Sequence, residues 1–298
     1  MAALFSLTTL SAIPNVKLNN GVEMPMISLG TWQYSKPVAK STVKLGISLG
    51  FNHIDTANDY RNQDAVGEAL AGLNRSSYFL TTKVPSQTGN DAYAKTSADL
   101  ADDLSLLKLD YVDLMLVHFP PHGNTQHCAA MQEQWRAMED FYKAKKARAI
   151  GVSNYCPSSF ECILKVANVT PAVNQVEYHI GMSKDPGASA PGAGDGIKSY
   201  CDKKGVMLQA YSPLGDGTSE LITGPLVTGI GNNHNKSGAQ VSLHWVYKHG
   251  VPLSTKSTSA KHLTTDLDIF DWDVTPSEMT QLDTAVKPAG KYSFMCTE

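Results

Sequence analysis

The stretch from Tyr78 to Phe119 decides the fold: YFLTTKV (78–84), then DAYAKTSADLADDLSLLKL (91–109), then YVDLMLVHF (111–119). The outer runs are short, apolar and rich in β-branched and aromatic residues, which is how a buried strand reads. The middle run is too long for a strand. It places Leu100, Leu104 and Leu107 on one stripe at helical spacing, with acids early and Lys108 late, the order that the helix dipole favours. A strand, a helix and another strand in succession imply parallel pairing, because the crossover helix brings the chain back to the same edge of the sheet.

The same alternation continues on both sides. Further strand-like runs are MISLGTW (26–32), NHIDTA (52–57), ARAIGVSN (147–154), AVNQVEY (172–178), VMLQAYS (206–212) and VPLSTKS (251–257). A second helix, MQEQWRAMEDFYKAKK (131–146), carries Trp135, Met138 and Tyr142 on its apolar face. Eight strands are the number that closes a barrel, so the pattern favours an α/β architecture of the (β/α)8 (TIM) kind over an open doubly wound sheet. At 298 residues such a barrel is one domain, 1–298, with a short N-terminal extension (1–13) and an irregular tail (287–298). The segment 183–196, rich in Gly, Ala and Pro, reads as a surface loop.

Composition narrows the function classes. A net charge of −3 offers no basic footprint for nucleic acid. No run approaches the roughly 18 apolar residues that suggest a membrane span. The first basic residue is Lys17, so the apolar start lacks the charged region of a secretory signal. Five cysteines (Cys128, Cys156, Cys162, Cys201 and Cys296) are scattered without a CxxC pair, which predicts free thiols in a reducing, cytoplasmic setting. The three Asn-x-Ser/Thr sequons then read as chance matches.

In a barrel, reactive groups sit where strands end and loops begin. Polar residues close nearly every strand run here: Asp55, Lys83, His118, Ser153 with Asn154, Gln175, Tyr211 with Ser212, and Lys256 with Ser257. Core packing alone would not demand this.

The stretches HIDTANDY (53–60), LTTKV (80–84), LMLVHFP (114–120), IGVSNY (150–155), NQVEYH (174–179) and AYSPLG (210–215) closely resemble, in order, those of the aldo-keto reductases. The opening LNNGVEMPMISLGTW (18–32) and the run STKSTSAKHLTTDLDIFDWDVTPSEM (254–279) are similar to the family's two ends. The resemblance spans roughly residues 14 to 286, nearly the whole chain. It implies the same barrel and a catalytic tetrad of Asp55, Tyr60, Lys83 and His118. The chemistry of these residue types agrees. Adding hydride to a carbonyl carbon builds negative charge on oxygen, so an acid must supply a proton. A free Tyr, with pKa near about 10, is a weak acid at neutral pH. A cationic Lys83 beside Tyr60 would lower that pKa, Asp55 would keep the lysine charged, and His118 would orient the carbonyl.

The resemblance also implies NADPH as cofactor for the reduction of aldehydes and ketones to alcohols. Tyr211 would stack on the nicotinamide. Thr31, Asp55, Ser153, Asn154 and Gln175 would surround it, with Ser153, Asn154 and Gln175 on its carboxamide. The backbone at Ser212 and Leu214 would meet the pyrophosphate. Lys256, Ser257 and Thr258 would hold the 2′-phosphate end, with His262, Thr265 and Asp266 close by. Here the sequence departs from the family pattern: His262 stands where Arg is expected, and Thr265-Asp266 replace Glu-Asn. Arg gives phosphate a permanent bidentate charge, whereas His is largely neutral above about pH 6.5. Some use of NADH follows, together with a preference for NADPH that strengthens toward pH 6.

On the substrate side, the tetrad's Tyr60 and His118 would meet the carbonyl beside an apolar wall of Trp32, Phe119 and the tail residues Phe294, Met295 and Cys296. Many relatives carry Trp where Phe119 stands. The region after AYSPLG and the tail are both shorter than in the mammalian aldose-reductase type, so the expected pocket is open and permissive. The partner is a small-molecule carbonyl and the protein is expected to act as a monomer.

Competing chemistries find less support. The grouping of His118, His122, His127 and Cys128 suggests metal, but Pro120 and Pro121 prevent the helix that would align His118 with His122, and there is no HExxH. Short-chain dehydrogenases use Tyr-x-x-x-Lys, which occurs at Tyr142…Lys146 and Tyr200…Lys204, yet no Gly-rich phosphate loop follows the first strand. Proteins of this fold also serve as channel-associated subunits or lens proteins that bind cofactor with little turnover. An intact tetrad argues for catalysis over that role.

Overall fold

The computed structural model describes residues 12–121, 124–186 and 196–288. The chain enters through an antiparallel hairpin, β1 (Asn15–Lys17) and β2 (Glu23–Pro25), that turns at Gly21 with φ 86° in the left-handed region. Eight strands then pair in parallel: β3 (Ile27–Gly30), β4 (His53–Asp55), β5 (Phe79–Val84), β6 (Val112–Val117), β7 (Ala147–Ser153), β8 (Val173–Glu177), β9 (Met207–Tyr211) and β10 (Leu253–Thr255). Leu253 pairs with both Ile27 and Ala210, which closes the sheet into a barrel. The open-sheet alternative is thereby excluded.

Around the barrel run α1 (Lys36–Leu49), α2 (Gln63–Leu70), α3 (Ala92–Leu107), α4 (Cys128–Lys143), α5 (Pro157–Leu164), α6 (Ile197–Lys204), α7 (Ser219–Ile222), α8 (Pro225–His234), α9 (Gly238–Lys248), α10 (Ala260–Leu267) and α11 (Pro276–Asp283). The expected stripe holds: Leu100, Leu104 and Leu107 of α3 and Trp135 and Met138 of α4 are buried in the layer between helices and barrel, with Tyr142 at its margin. The hairpin was not anticipated. Its strands are three residues each, too short for a periodic signal.

Two clusters of side chains fill the molecule. The larger lies between strands and helices. A smaller one joins Leu18 and Met24 at the hairpin to Phe79, Leu114, Leu116, Ala149, Ala172 and Val173, and so plugs the barrel floor with apolar side chains. Alternation along each strand returns every second residue to the interior. Above the floor, the same parity lifts Asp55, Lys83, Ser153, Gln175 and Gln209 into a polar upper layer.

The cysteines require a correction. Cys128, at the start of α4, and Cys162, in α5, form a disulfide with Cα atoms 5.6 Å apart. Spacing could not show this, because the partners are 34 residues apart and meet only where α4 packs beside α5. Cys156 is disulfide-bonded as well, and Cys201 is a buried free thiol whose pKa burial pushes up to about 12.

Among the described residues no helix is long and apolar enough to cross a membrane, and no group of three or more His, Cys, Asp or Glu is arranged to hold a metal. Most of the extension 1–13, nearly all of the tail 287–298 with Phe294, Met295 and Cys296, the centre of the 183–196 loop, and His122 lie outside the described residues.

Candidate active site

Asp55 is the last residue of β4. The chain then makes a single 3-10 turn, Asn58–Tyr60, ended by Arg61 in the left-handed region at φ 55°. That turn folds Tyr60 back over the barrel rim, which is why a residue five positions from Asp55 can share its lysine. Lys83 rises from β5 and is fully buried. Its ammonium donates to Asp55 Oδ1 (2.5 Å), to the Thr56 carbonyl (3.1 Å) and to Tyr60 Oη (3.2 Å). All three of its donors are thus used. Because Tyr60 Oη accepts from the lysine, the phenol's own proton is free to be donated elsewhere.

Burial would lower the Lys83 pKa, but the Asp55 carboxylate and Tyr60 outweigh it and carry the amine above its ordinary value. Tyr60 corrects the expectation from sequence. Burial raises its pKa, and the pull of Lys83 in the other direction does not cancel that. Tyr60 therefore stands as a protonated phenol at neutral pH, with the Lys83 cation favouring its phenolate form. His118 follows β6 directly, its ring edge-on to Tyr60 at 5.6 Å between centroids. Burial holds its pKa below the ordinary value, opposed by a hydrogen bond between Nδ1 and Asp59 Oδ2 (3.0 Å).

The adjacent strands β7 to β10 form a second arc of the rim. Ser153 Oγ donates to the Gln175 carbonyl (2.7 Å). Asn154, held at φ 62°, donates to the His118 carbonyl (3.0 Å) and to Ser153 Oγ (3.1 Å), and accepts from the Tyr211 hydroxyl (2.9 Å). Gln175 Nε2 donates across the barrel to Asp55 Oδ2 (2.6 Å) and to Gln209 Oε1 (3.1 Å). One amide thus joins the acid-carrying arc to the polar arc. Thr31 is buried, its hydroxyl donating to the Asp55 carbonyl (3.2 Å).

Beyond Tyr211, Ser212 adopts φ 46° and donates to Asp216 (2.8 Å), turning the chain at Leu214. Thr258 and His262 are exposed at the N-terminal end of α10 with Ser257, whose hydroxyl accepts from the Ser259 N–H (3.1 Å). Lys256 reaches across to β3's exit, donating to Gln33 Oε1 (2.7 Å) and the Trp32 carbonyl (3.3 Å) over the Trp32 and Tyr34 rings. Thr265 Oγ1 donates to the His262 carbonyl (2.8 Å). Asp266 is not brought to this surface. It is buried beside Leu263 and Leu267, accepts from Thr255 Oγ1 (2.7 Å), and burial raises its pKa to about 6.

This donor set suits a nicotinamide dinucleotide. A half-buried aromatic ring stands next to amide and hydroxyl groups at one end, and a helix start with an exposed cation stands at the other. Trp32 and Phe119 are 43% and 45% exposed, large apolar surfaces left on the rim beside the tetrad.

Sequence reasoning missed three residues here. Asp59 bonds His118. Asn58 donates to the buried Asp103 of α3 (2.7 Å), fixing the turn that carries Tyr60. Gln209 anchors Gln175. The available signal was two polar residues directly before Tyr60, in a turn where helix-free backbone needs partners.

The family model for the aldo/keto reductases matches residues 26–287. Glyoxal reductase of Bacillus subtilis (strain 168) is 37% identical over 271 residues, covering 90% of this chain and 91% of that protein. Morphine 6-dehydrogenase of Pseudomonas putida is 32% identical, covering 91% and 90%. A crystal structure of an aldo/keto reductase from Brucella melitensis superimposes with a TM-score of 0.80 at 31% identity, covering 91% of this chain and 99% of that one. Barrel, tetrad geometry and relatives agree: the chain belongs to the aldo/keto reductase family and is an oxidoreductase that acts on carbonyl groups.

Proposed function

We propose that the protein reduces aldehydes and ketones to alcohols with NADPH, and that Tyr60 is the proton donor. The observation that carries this reading is the Lys83 ammonium, which bonds Asp55 and Tyr60 together and leaves the phenol proton free. When bound, NADPH supplies the hydride that adds to the carbonyl carbon. Tyr60 gives its proton to the carbonyl oxygen, Lys83 stabilises the phenolate left behind, and Asp55 and Gln175 keep Lys83 placed. Tyr211, Ser153 and Asn154 would hold the nicotinamide ring and its carboxamide. Lys256, Ser257 and Thr258 would meet the 2′-phosphate, with His262 close by.

Loss of NADPH absorbance over a panel of aldoses, uronates, aromatic aldehydes, quinones and small dicarbonyls tests the reading. Dicarbonyls are included because one relative is named a glyoxal reductase. Turnover by the wild type that disappears in Tyr60→Phe, with NADPH binding retained, is the expected result. Equally slow consumption by both proteins overturns it.

A further inference from the structure

The reaction's acid has a neighbour that the tetrad does not account for. Asp59 immediately precedes Tyr60 in the 3-10 turn, its carboxylate 50% exposed and its Oδ2 3.0 Å from His118 Nδ1. Its orientation is built. Asn58 is tied to Asp103 on one side, Tyr60 is tied to Lys83 on the other, and Arg61 closes the turn in the left-handed region. His118 is fixed from behind, with Asn154 Nδ2 donating to its carbonyl. We propose that Asp59 is a positioning residue for His118, and that its charge selects neutral or cationic carbonyl substrates over those that carry a carboxylate. The proposal rests on the reductase reading above.

The first half follows from hydrogen-bond inventory. An ionised carboxylate only accepts, so the Nδ1 that meets it must carry the hydrogen. A neutral imidazole then has a bare lone pair at Nε2, the nitrogen without a protein partner among the described residues. His118 can donate through Nε2 only as an imidazolium. The ionisable groups facing it are Asp59, Asp55, Lys83 and Tyr60. Burial and Lys83 favour the neutral ring, while Asp59 and Asp55 favour the charged one. Asp59 itself is held below the usual carboxylate range, first by its bond to His118. At neutral pH the substrate oxygen thus receives its proton from Tyr60 alone, and acid adds a second donor.

The second half is electrostatic. A half-exposed anion stands on the same rim as Trp32 and Phe119, at a distance from the reacting oxygen set by one imidazole ring. A carboxylate on the substrate meets like charge there; Arg61, two residues further along the turn, acts on Asp59 only through space, last among the influences on its pKa, and makes no ion pair with it among the described residues.

A charge series on one ring tests both halves. The substrates are 4-carboxybenzaldehyde, its methyl ester, and 4-(trimethylammonio)benzaldehyde, compared in wild type, Asp59→Asn and Asp59→Glu. Wild type is expected to prefer the ester to the carboxylate. In Asp59→Asn that preference should fall about tenfold, mainly through KM, with partial recovery in Asp59→Glu. Nitrogen-15 shifts of His118, assigned by their loss in His118→Gln, give a readout that needs no turnover. The wild-type ring should carry its neutral-pH hydrogen on Nδ1, and Asp59→Asn should move it toward Nε2. An unchanged ester-to-carboxylate ratio in Asp59→Asn, or a wild-type hydrogen on Nε2 at pH 7.5, overturns the proposal. If no aldehyde is reduced by any variant, the reductase reading fails, and the nitrogen shifts still decide the role of Asp59.

Discussion

Asp55 and Asp113 are both buried carboxylates on barrel strands, and both are paired with cations, yet the pairs are spent differently. Asp113, near the start of β6, accepts from Arg75 (2.5 Å), Arg148 (2.8 Å) and the Leu80 N–H (2.8 Å). Arg75 also donates to the Tyr78 and Tyr111 carbonyls and lies against both rings. Every cation around Asp113 is permanently charged, and none of its partners can give up a proton at ordinary pH. Asp55, at the end of β4, instead holds a lysine whose remaining bond goes to a phenol at the rim. The same attraction locks one end of the barrel and holds charge beside a transferable proton at the other. On the proposed function, stability resides at one end and chemistry at the other, as expected for this architecture.

Breaking each end should therefore give opposite signatures. The largest effect is expected from Tyr60→Phe: a loss of about 10³-fold in kcat, the scale of a lost general acid, with thermal stability nearly unchanged. Steady-state kinetics beside a melting curve read both. Asp113→Ala should do the reverse, costing about 4 kcal/mol in denaturant unfolding because Arg75 is left beside a void. Its surviving folded fraction should keep the wild-type KM. If Asp113→Ala alters kcat without altering stability, the division between the ends is wrong.

Cys128→Ser, which opens the disulfide, should lower stability by about 3 kcal/mol through the freed loop of the unfolded chain. Cys162→Ser, which breaks the same bond from its other end, provides the control.

Asp103 sharpens the comparison further. It is buried, it holds the Tyr60 turn through Asn58, and one of its oxygens has no partner. Burial pushes its pKa up to about 7. A folded pKa above the unfolded one means that the fold prefers the protonated acid. That stability is present at low pH and is lost as pH rises through about 7. Asp103→Asn should accordingly melt higher than wild type at pH 8, by about 2 kcal/mol, with the gap closing toward pH 4. The smallest expected effect is at His262: His262→Arg, which supplies a permanent bidentate charge, should lower the KM for NADPH relative to that for NADH by a few-fold, about 1 kcal/mol, and an unchanged ratio would remove His262 from the phosphate site.

Much of this was legible from the chain alone, for identifiable reasons. Strand parity is a local property, so the runs ending at Asp55, Lys83 and Gln175 announced both the barrel and its polar rim. Tyr60 was legible because its turn lies within five residues of Asp55. What escaped reading depends on third dimensions. The Asp59–His118 bond joins the exits of two strands, and the Cys128–Cys162 bond joins two outer helices. The upward shift of Tyr60 comes from burial, which no motif encodes. Asp266 was misplaced for a simpler reason. It shares a helical face with Leu263 and Leu267, and that spacing turns it inward.

The disulfide ties the first residue of α4 to α5. Cys128, Cys156 and Cys162 are not the free thiols of a reducing compartment, since such bonds persist mainly in oxidising surroundings. A batch folded under reductant and a batch folded in air would share one sequence and differ by two hydrogen atoms for each bridge. Intact-mass measurement before and after alkylation would tell them apart, and any kinetic constant for this protein belongs to whichever batch was weighed.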